Sequence, residues 1–367
     1  MNRYISLFLA LVLLVSCTPD PESSDYLAPK LGVVTVEAEA FRVQISCPVS
    51  GSLMGVTVYG IRFGKDILRE IPCTLADGQL SATVKGLNAE TIYHVEAFLG
   101  NGAETLSSET ISFRTEAGPE TVDIPDPVFR RYLLANFDEN GDEVLTVPEA
   151  LSIHEIKVCT DSITSLKGIE KMSHLIRLEA LGSDGYRGKL TQIDLSGNPL
   201  LEGLNVNDNF ISNLDLSAVT YLKEVCFATN PLSSIDFSAN PLIIRIYMNN
   251  IPLETLPDMM SLPLESLHFD HVARLIPEDY FRNFPGLHDL NMSFYEGRRI
   301  NLSCNTQLDA LWASCCPNLE EIDLTATALL KRLYVGECPK LHRVLVRAGT
   351  EFEELEKDGH TEIIYVE

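Results

Sequence analysis

The stretch Leu190-Thr191-Gln192-Ile193-Asp194-Leu195-Ser196-Gly197-Asn198-Pro199-Leu200-Leu201-Glu202-Gly203-Leu204-Asn205-Val206-Asn207-Asp208-Asn209 decides the fold. It reads as Leu-x-x-Ile-x-Leu-x-x-Asn followed by Leu-x-x-Leu-x-Val-x-x-Asn. The phrase returns in Ile211, Leu214 and Leu216, in Leu222, Val225, Phe227 and Asn230, and in Leu232, Ile235, Phe237 and Asn240. Motif starts alternate by 11 and 10 residues, so one full coil takes 21. The column Leu204, Val225, Ile246, Leu267, Leu290, Leu311, Leu333 advances by 21, 21, 21, 23, 21 and 22 residues. Chance does not hold such a phase over seven turns. Each coil has an inward apolar set that it cannot bury alone, and stacking joins these sets into one core. The Asn at the ninth motif position can hydrogen-bond turn backbone from inside.

This period and motif resemble the leucine-rich repeat, of the internalin type, over residues 153–348. Each coil carries the motif twice, so both long sides are expected to be β-like. Asp194-Leu195-Ser196 and Asp215-Leu216-Ser217 recur as Asp236-Phe237-Ser238 and Asp323-Leu324-Thr325, a context that favours local turn hydrogen bonds. The spacing fails between Leu275 and Leu287, where Ile276 to Gly286 reads as a helical segment. Gly182 to Gly188 reads as an inserted loop, and residues 349–367 as a C-terminal cap.

Upstream, residues 30–116 read as strands. Alternation is plain in Val34-Thr35-Val36-Glu37 and in Phe41-Arg42-Val43-Gln44-Ile45, with turn residues about every ten positions. Gly86 to Phe98, with Leu87, Thr91 and Tyr93, and Ile111-Ser112-Phe113-Arg114-Thr115 resemble a fibronectin type III domain. That resemblance implies an all-β sandwich serving as spacer or adhesion module, without chemistry. The fold class expected is therefore multidomain: this sandwich, a linker at 117–127, a short helical cap at 128–152, and the solenoid.

The chain opens with Met1-Asn2-Arg3 and an apolar run from Ile5 to Val15, too short to span a bilayer comfortably. It ends in Leu14-Val15-Ser16-Cys17. This resembles the bacterial lipobox, which implies cleavage after residue 16 and lipidation of Cys17, with palmitate among the acyl chains. Several acyl chains at ~0.8 kcal/mol per buried CH₂ anchor firmly. Thr18-Pro19-Asp20-Pro21-Glu22-Ser23-Ser24-Asp25 then reads as a flexible tether over 17–29. An acidic stretch after the lipidated Cys resembles the surface-export signal of Bacteroidetes lipoproteins. Outer-membrane attachment through the lipid alone, facing outward, is the expectation.

Formal net charge is −24, and no basic stripe offsets it. That field excludes nucleic acid and anionic lipid heads as partners.

Residues 138–149 match the EF-hand calcium loop. Asp138, Asn140 and Asp142 stand at loop positions one, three and five. Val144 offers a carbonyl at seven, Thr146 stands at nine and Glu149 at twelve. The departure is Glu143 where the family has its sixth-position Gly. The loop is expected to bind a structural Ca²⁺ or to be a plain acidic loop. Of nine cysteines, Cys316 and Cys338 fall at the motif's Asn position and read as small buried residues. No cysteine spacing demands a disulfide or marks zinc.

Residues following the inward Leu point outward and stack side by side. This gives an outer ribbon with Tyr247, His268, Trp312 (the only Trp) and Tyr334, and a neighbouring ribbon with Asp270. Aromatics amid Asn, Asp and Ser suit a protein or glycan ligand, and the competing reading is scattered surface aromatics. His268 and Asp270 share a strand face, yet no third group completes a catalytic set. The sequence therefore points to a monomeric, non-enzymatic surface-binding or adhesion protein. The alternative is an accessory subunit of an outer-membrane nutrient-capture assembly.

Overall fold

The computed structural model describes residues 27–183 and 186–367, so Cys17 and most of the tether lie outside the described residues. The chain divides into two compact units, one ending at Gly118 and the other beginning at Pro119.

The first unit holds two antiparallel five-stranded sheets. Val43–Ser50 is the centre of one and pairs with Gln79–Val84 through Val43↔Val84, Ile45↔Ala82 and Cys47↔Leu80. Ile92–Gly100 is the centre of the other and pairs with Val58–Gly64, with Ile61 opposite Ala97. Alternation does the sorting: Val43, Ile45, Cys47 and Val49 are buried while the residues between them are less so. Inward residues of both sheets, among them Ile45, Leu80, Ile61 and Val95, form one core. Each such side chain contributes about 1.5–3 kcal/mol by leaving water. Tyr93 stacks on Phe63 with centroids 5.2 Å apart, and its hydroxyl accepts a hydrogen bond from the Asn88 amide at 3.1 Å.

The second unit opens with α1 (Pro127–Phe137) and α2 (Val147–Leu151). Asp126 caps α1 by accepting from the amides of Val128 and Phe129, and a proline opens the first turn. Thr146 and Glu149 cap α2 reciprocally, so its free amides are satisfied within one turn. Phe129, Leu133 and Ala150 are fully buried in the same core as the coils that follow. The Tyr132 hydroxyl accepts from the Lys157 amide at 3.0 Å, which satisfies a donor on the first strand's open edge.

A ten-stranded, all-parallel sheet follows, one strand per coil, from Glu155–Cys159 to Glu354–Lys357. The register pairs Leu204 with Val225, Val225 with Ile246, Ile246 with Leu267, Leu267 with Leu290, Leu290 with Leu311 and Leu311 with Leu333. These residues are at most 1% exposed. The column read from the sequence is thus a physical stack.

Among the described residues the other long side is β only near the end, as the three strands Glu321–Leu324, Arg343–Arg347 and Glu362–Val366. Those segments are rich in Ile, Val and Leu. The earlier coils have Thr-Gln-Ile-Asp and Ser-Ser-Ile-Asp instead, too polar for a ladder, and run irregularly into a turn. The expectation of two β-like sides is corrected accordingly. Asp194, Asp215, Asp236 and Asp323 each accept from the amide two residues on, at 2.8–3.0 Å. These are turn-making contacts, as their context indicated.

The helical segment around Ile276 to Gly286 is a 3₁₀ turn at Tyr280–Asn283, preceded by another at Val272–Leu275. It buries Tyr280, Phe281 and Phe284. The tail read as a cap adds one further strand to each sheet, pairing Leu333 with Leu355 and Val344 with Ile363.

Inside the coils the Asn residues act as braces. Asn230, 1% exposed, donates to the Val206 and Phe227 carbonyls at 2.8 and 3.1 Å and accepts from the Ile211 amide at 2.9 Å. Asn209 does the same for Ala180, Val206 and Leu190. Further along, Cys338 takes over, its thiol donating to the Ala313 carbonyl at 3.1 Å. The eight described cysteines are all free.

Candidate functional site

The residue after each inward Leu lies on the outer face of the long sheet, and register places Asn205, Cys226, Tyr247, His268, Asn291, Trp312 and Tyr334 in one line. The aromatics in it touch. Tyr247 and His268 have centroids 4.7 Å apart, His268 and Trp312 5.5 Å, and Trp312 and Tyr334 5.1 Å with planes only 6° apart. His268 reaches Trp312 across the intervening strand because Asn291 is short. Strands stack ~4.8 Å apart, so this one gap spans ~10 Å of backbone and is closed by the ring sizes.

A polar column flanks the rings on the N-terminal side of each strand. His268 Nε2 lies 3.0 Å from Asp289 Oδ2, and Ser266 Oγ donates to the same oxygen at 3.3 Å. Asp289 Oδ1 is buried and has no donor. The Arg332 guanidinium lies 5.7 Å from the Trp312 ring centre and bonds Asp309 at 3.0 Å. The Tyr334 hydroxyl donates to Glu354.

Asp270 does not join His268. Residues two apart on one strand face are about 6–7 Å apart, farther than neighbours across strands. His268 therefore takes Asp289 from the next coil. Asp270 instead accepts from the Asn250 amide at 2.8 Å and meets His271 Nδ1 at 3.3 Å. Ser266, Asp289 and His268 are close, but the serine bonds the carboxylate and not the imidazole. No nucleophile–base pair results, since that chemistry needs the hydroxyl on the ring nitrogen. Burial pushes the Cys226 thiol up to about 12, and burial together with Glu337 pushes Cys315 up to about 11, so neither supplies a thiolate.

A feature that sequence reading missed borders this face. Asp208, Thr229, Asn250, His271, Phe294, Cys315 and Glu337 all have φ between 52 and 64°. Their steps are those of the Leu column, 21, 21, 21, 23, 21 and 22. Each of these seven coils thus turns its corner through a left-handed residue that is not Gly, just before the motif's ninth position. The residue types share nothing, so no sequence signal existed beyond the phase itself. At one point the column builds a contact of its own, the His271 and Phe294 rings stacking at 3.9 Å.

The EF-hand-like loop lies between α1 and α2. Asp138 accepts from the amides of Gly141, Asp142 and Glu143, Asn140 from Asp142, and Asp142 from Val144. Glu143 has φ 67°, the left-handed conformation the family's sixth-position Gly provides. Glu149 is held by the Thr146 cap at 2.7–2.8 Å and by the Glu139 amide at 3.3 Å. Among the described residues no group of three or more His, Cys, Asp or Glu is placed to hold a metal ion. The donor types suit Ca²⁺, and Glu149, the twelfth position, is the side chain held by the cap.

Two solved internalin structures resemble the chain. The functional domain of InlJ from Listeria monocytogenes, which includes a cysteine ladder, aligns with TM-score 0.54 at 20% identity, over 66% of this chain and 63% of that one. An internalin, InlF, from the same organism aligns with TM-score 0.48 at 18% identity, over 67% and 79%. This chain thus spans under two thirds of the InlJ structure. The InlJ likeness shows the leucine-rich-repeat fold. No protein-family model and no curated sequence matches the chain.

Proposed function

We propose that the chain is a lipid-anchored cell-surface protein that binds a protein or glycan ligand through the outer face of its long sheet, without catalysis. One observation carries this reading: four aromatic side chains from four coils form a continuous row on a rigid parallel sheet. Stacked repeats offer extended binding surfaces of this kind, and partly exposed Trp and Tyr are what binding hot spots are made of. On this face Ser266 bonds Asp289 and not the His268 imidazole, and the Cys226 and Cys315 thiols are pushed up, which argues against acyl-transfer chemistry there. Attachment through Cys17 rests on the lipobox resemblance alone, and outward display on the acidic tether.

The N-terminal unit is read as a fibronectin type III-like spacer. Two packed antiparallel sheets support this, as does the Tyr93 hydroxyl bonding backbone five residues upstream, the tyrosine corner of such sandwiches. The loop between α1 and α2 is read as a structural Ca²⁺ site that Glu149 completes by leaving its cap; Glu143 in the left-handed turn supports that reading.

Trp312→Ala, screened beside the unaltered protein on glycan and host-protein arrays, tests the ligand surface. The expected result is loss of the principal signal with the melting curve kept. Retention of every signal would remove the surface from consideration.

A further inference from the structure

We infer that the partner seated on the aromatic row is a protein segment carrying Lys or Arg side chains, and not a glycan. The inference rests on the row being the ligand surface.

The first argument is the orientation of the rings. Sugar recognition by aromatics uses an open ring face, against which the C–H groups of a pyranose lie flat. In this row the two interior rings have a neighbour on either side: His268 lies between Tyr247 and Trp312, and Trp312 between His268 and Tyr334. The near-parallel Trp312–Tyr334 pair, at 6°, covers one indole face with a phenol. The Trp312 face turned to Tyr334 is thus closed to a sugar, and the rings brace one another into a stiff ridge. Side chains already fixed against one another lose little further freedom on binding, which favours a broad protein contact.

The second argument is charge. Register places four basic side chains on this sheet face, Lys157, Arg177, Arg245 and Arg332, and each is already paired with an acid. The partners are Glu179 at 2.8 Å, Glu224 at 3.6 Å, Glu265 at 3.6 Å and Asp309 at 3.0 Å. No such cation matches Asp289, Glu354 or Glu356. Asp289 lies under the ridge, 26% exposed, with Oδ2 bonded by Ser266 and His268 and Oδ1 buried. Its charge, matched by no Lys or Arg, draws a cation seated over the ridge. The whole chain, at −24, steers cationic surfaces inward over long range. A neutral glycan, whose hydroxyls can bond these carboxylates, would gain nothing from the field, and an acidic one would be repelled.

The test pans a phage-displayed library of random dodecapeptides against the full chain, in parallel with a glycan array. Unaltered protein, Trp312→Ala, Trp312→Phe and Asp289→Asn are compared, each first checked by its thermal melt. Expected are peptides enriched in Lys and Arg whose binding is lost in Trp312→Ala and kept in Trp312→Phe. It should fall about tenfold in Asp289→Asn and weaken with added salt. Glycan signals that depend on Trp312 would overturn the cationic-protein inference while leaving the ligand surface standing. So would Trp312-dependent peptides that are neutral or acidic, or the absence of enriched peptides. If all binding in both arms is indifferent to Trp312→Ala, the ligand surface itself falls, and this inference with it.

Discussion

Trp312 and Tyr334 lie nearly parallel, 5.1 Å between centroids, although they belong to successive coils and touch only because the register aligns them. Tyr334→Ala uncovers one indole face. Emission from the chain's sole Trp should then shift to longer wavelength, and its quenching by acrylamide should rise. The loss in stability should be only about 0.5–1.5 kcal/mol, that of an aromatic pair. Unchanged emission would mean the two rings are not in contact in solution.

Asn230 serves four backbone groups at once, so its removal should cost more than its size suggests. Asn230→Ala leaves the Val206, Phe227 and Ala228 carbonyls and the Ile211 amide without their partner. At about 1–3 kcal/mol for a buried unsatisfied group, a total near 3 kcal/mol is expected in a denaturant titration. Cys338→Ala, which removes one weak thiol donor from the equivalent place, should cost about 1 kcal/mol. Equal losses would show that the braces are interchangeable packing.

Asp126 links α1 to the solenoid. Burial alone would raise its pKa, but hydrogen bonds from Thr164, Phe129 and Val128 outweigh it and hold the carboxyl below its usual value of 3.8. A carboxyl depressed in the folded state contributes stability above its unfolded pKa. That contribution is lost as pH falls through the folded value. Asp126→Ala should therefore destabilise by about 1 kcal/mol at neutral pH, and the gap to the unaltered protein should begin to narrow below about pH 4 and go on narrowing as pH falls through the folded value. A gap independent of pH would assign the effect to packing.

Glu143 holds a left-handed backbone at a cost that Gly does not bear. Glu143→Gly should raise stability by about 0.5–1 kcal/mol with or without calcium. Separately, millimolar Ca²⁺ should raise the melting temperature of the unaltered protein and a chelator should reverse it. No response to either would sink calcium as the loop's ion.

Cys17→Ser tests the anchor. In cells that process bacterial lipoproteins, the unaltered chain should fractionate with membranes and incorporate labelled palmitate. The variant should do neither. Label on the variant would exclude Cys17 as the acyl acceptor.

The repeats were legible because one apolar choice is made again in every coil, so seven residues from Leu204 to Leu333 vote for a single register. Alignment of Tyr247, His268, Trp312 and Tyr334 followed from that register without further information. Their ring contacts did not, since His268 meets Trp312 only because Asn291 between them is small. The pairing of His268 with Asp289 was equally hidden: Asp289 lies in a different column, and strand spacing decides in its favour over Asp270. The irregular second side was misread because the motif fixes which residues turn inward, whereas ladder formation depends on the β-branched content around them. Residues such as Arg343-Val344-Leu345-Val346 have that content and Leu232-Ser233-Ser234-Ile235 do not.

The left-handed corner at Asp208, Thr229, Asn250, His271, Phe294, Cys315 and Glu337 bears on how such a protein can change. Backbone closure of the coil holds the conformation, and side chains as unlike as Thr, Phe and Glu already occupy it. Each corner is therefore a position where a new residue alters the rim of the sheet while the buried Leu and Asn columns stay as they are. Seven such positions, ~4.8 Å apart, form a rim whose chemistry can be rewritten one coil at a time, giving a new partner specificity on an unchanged frame.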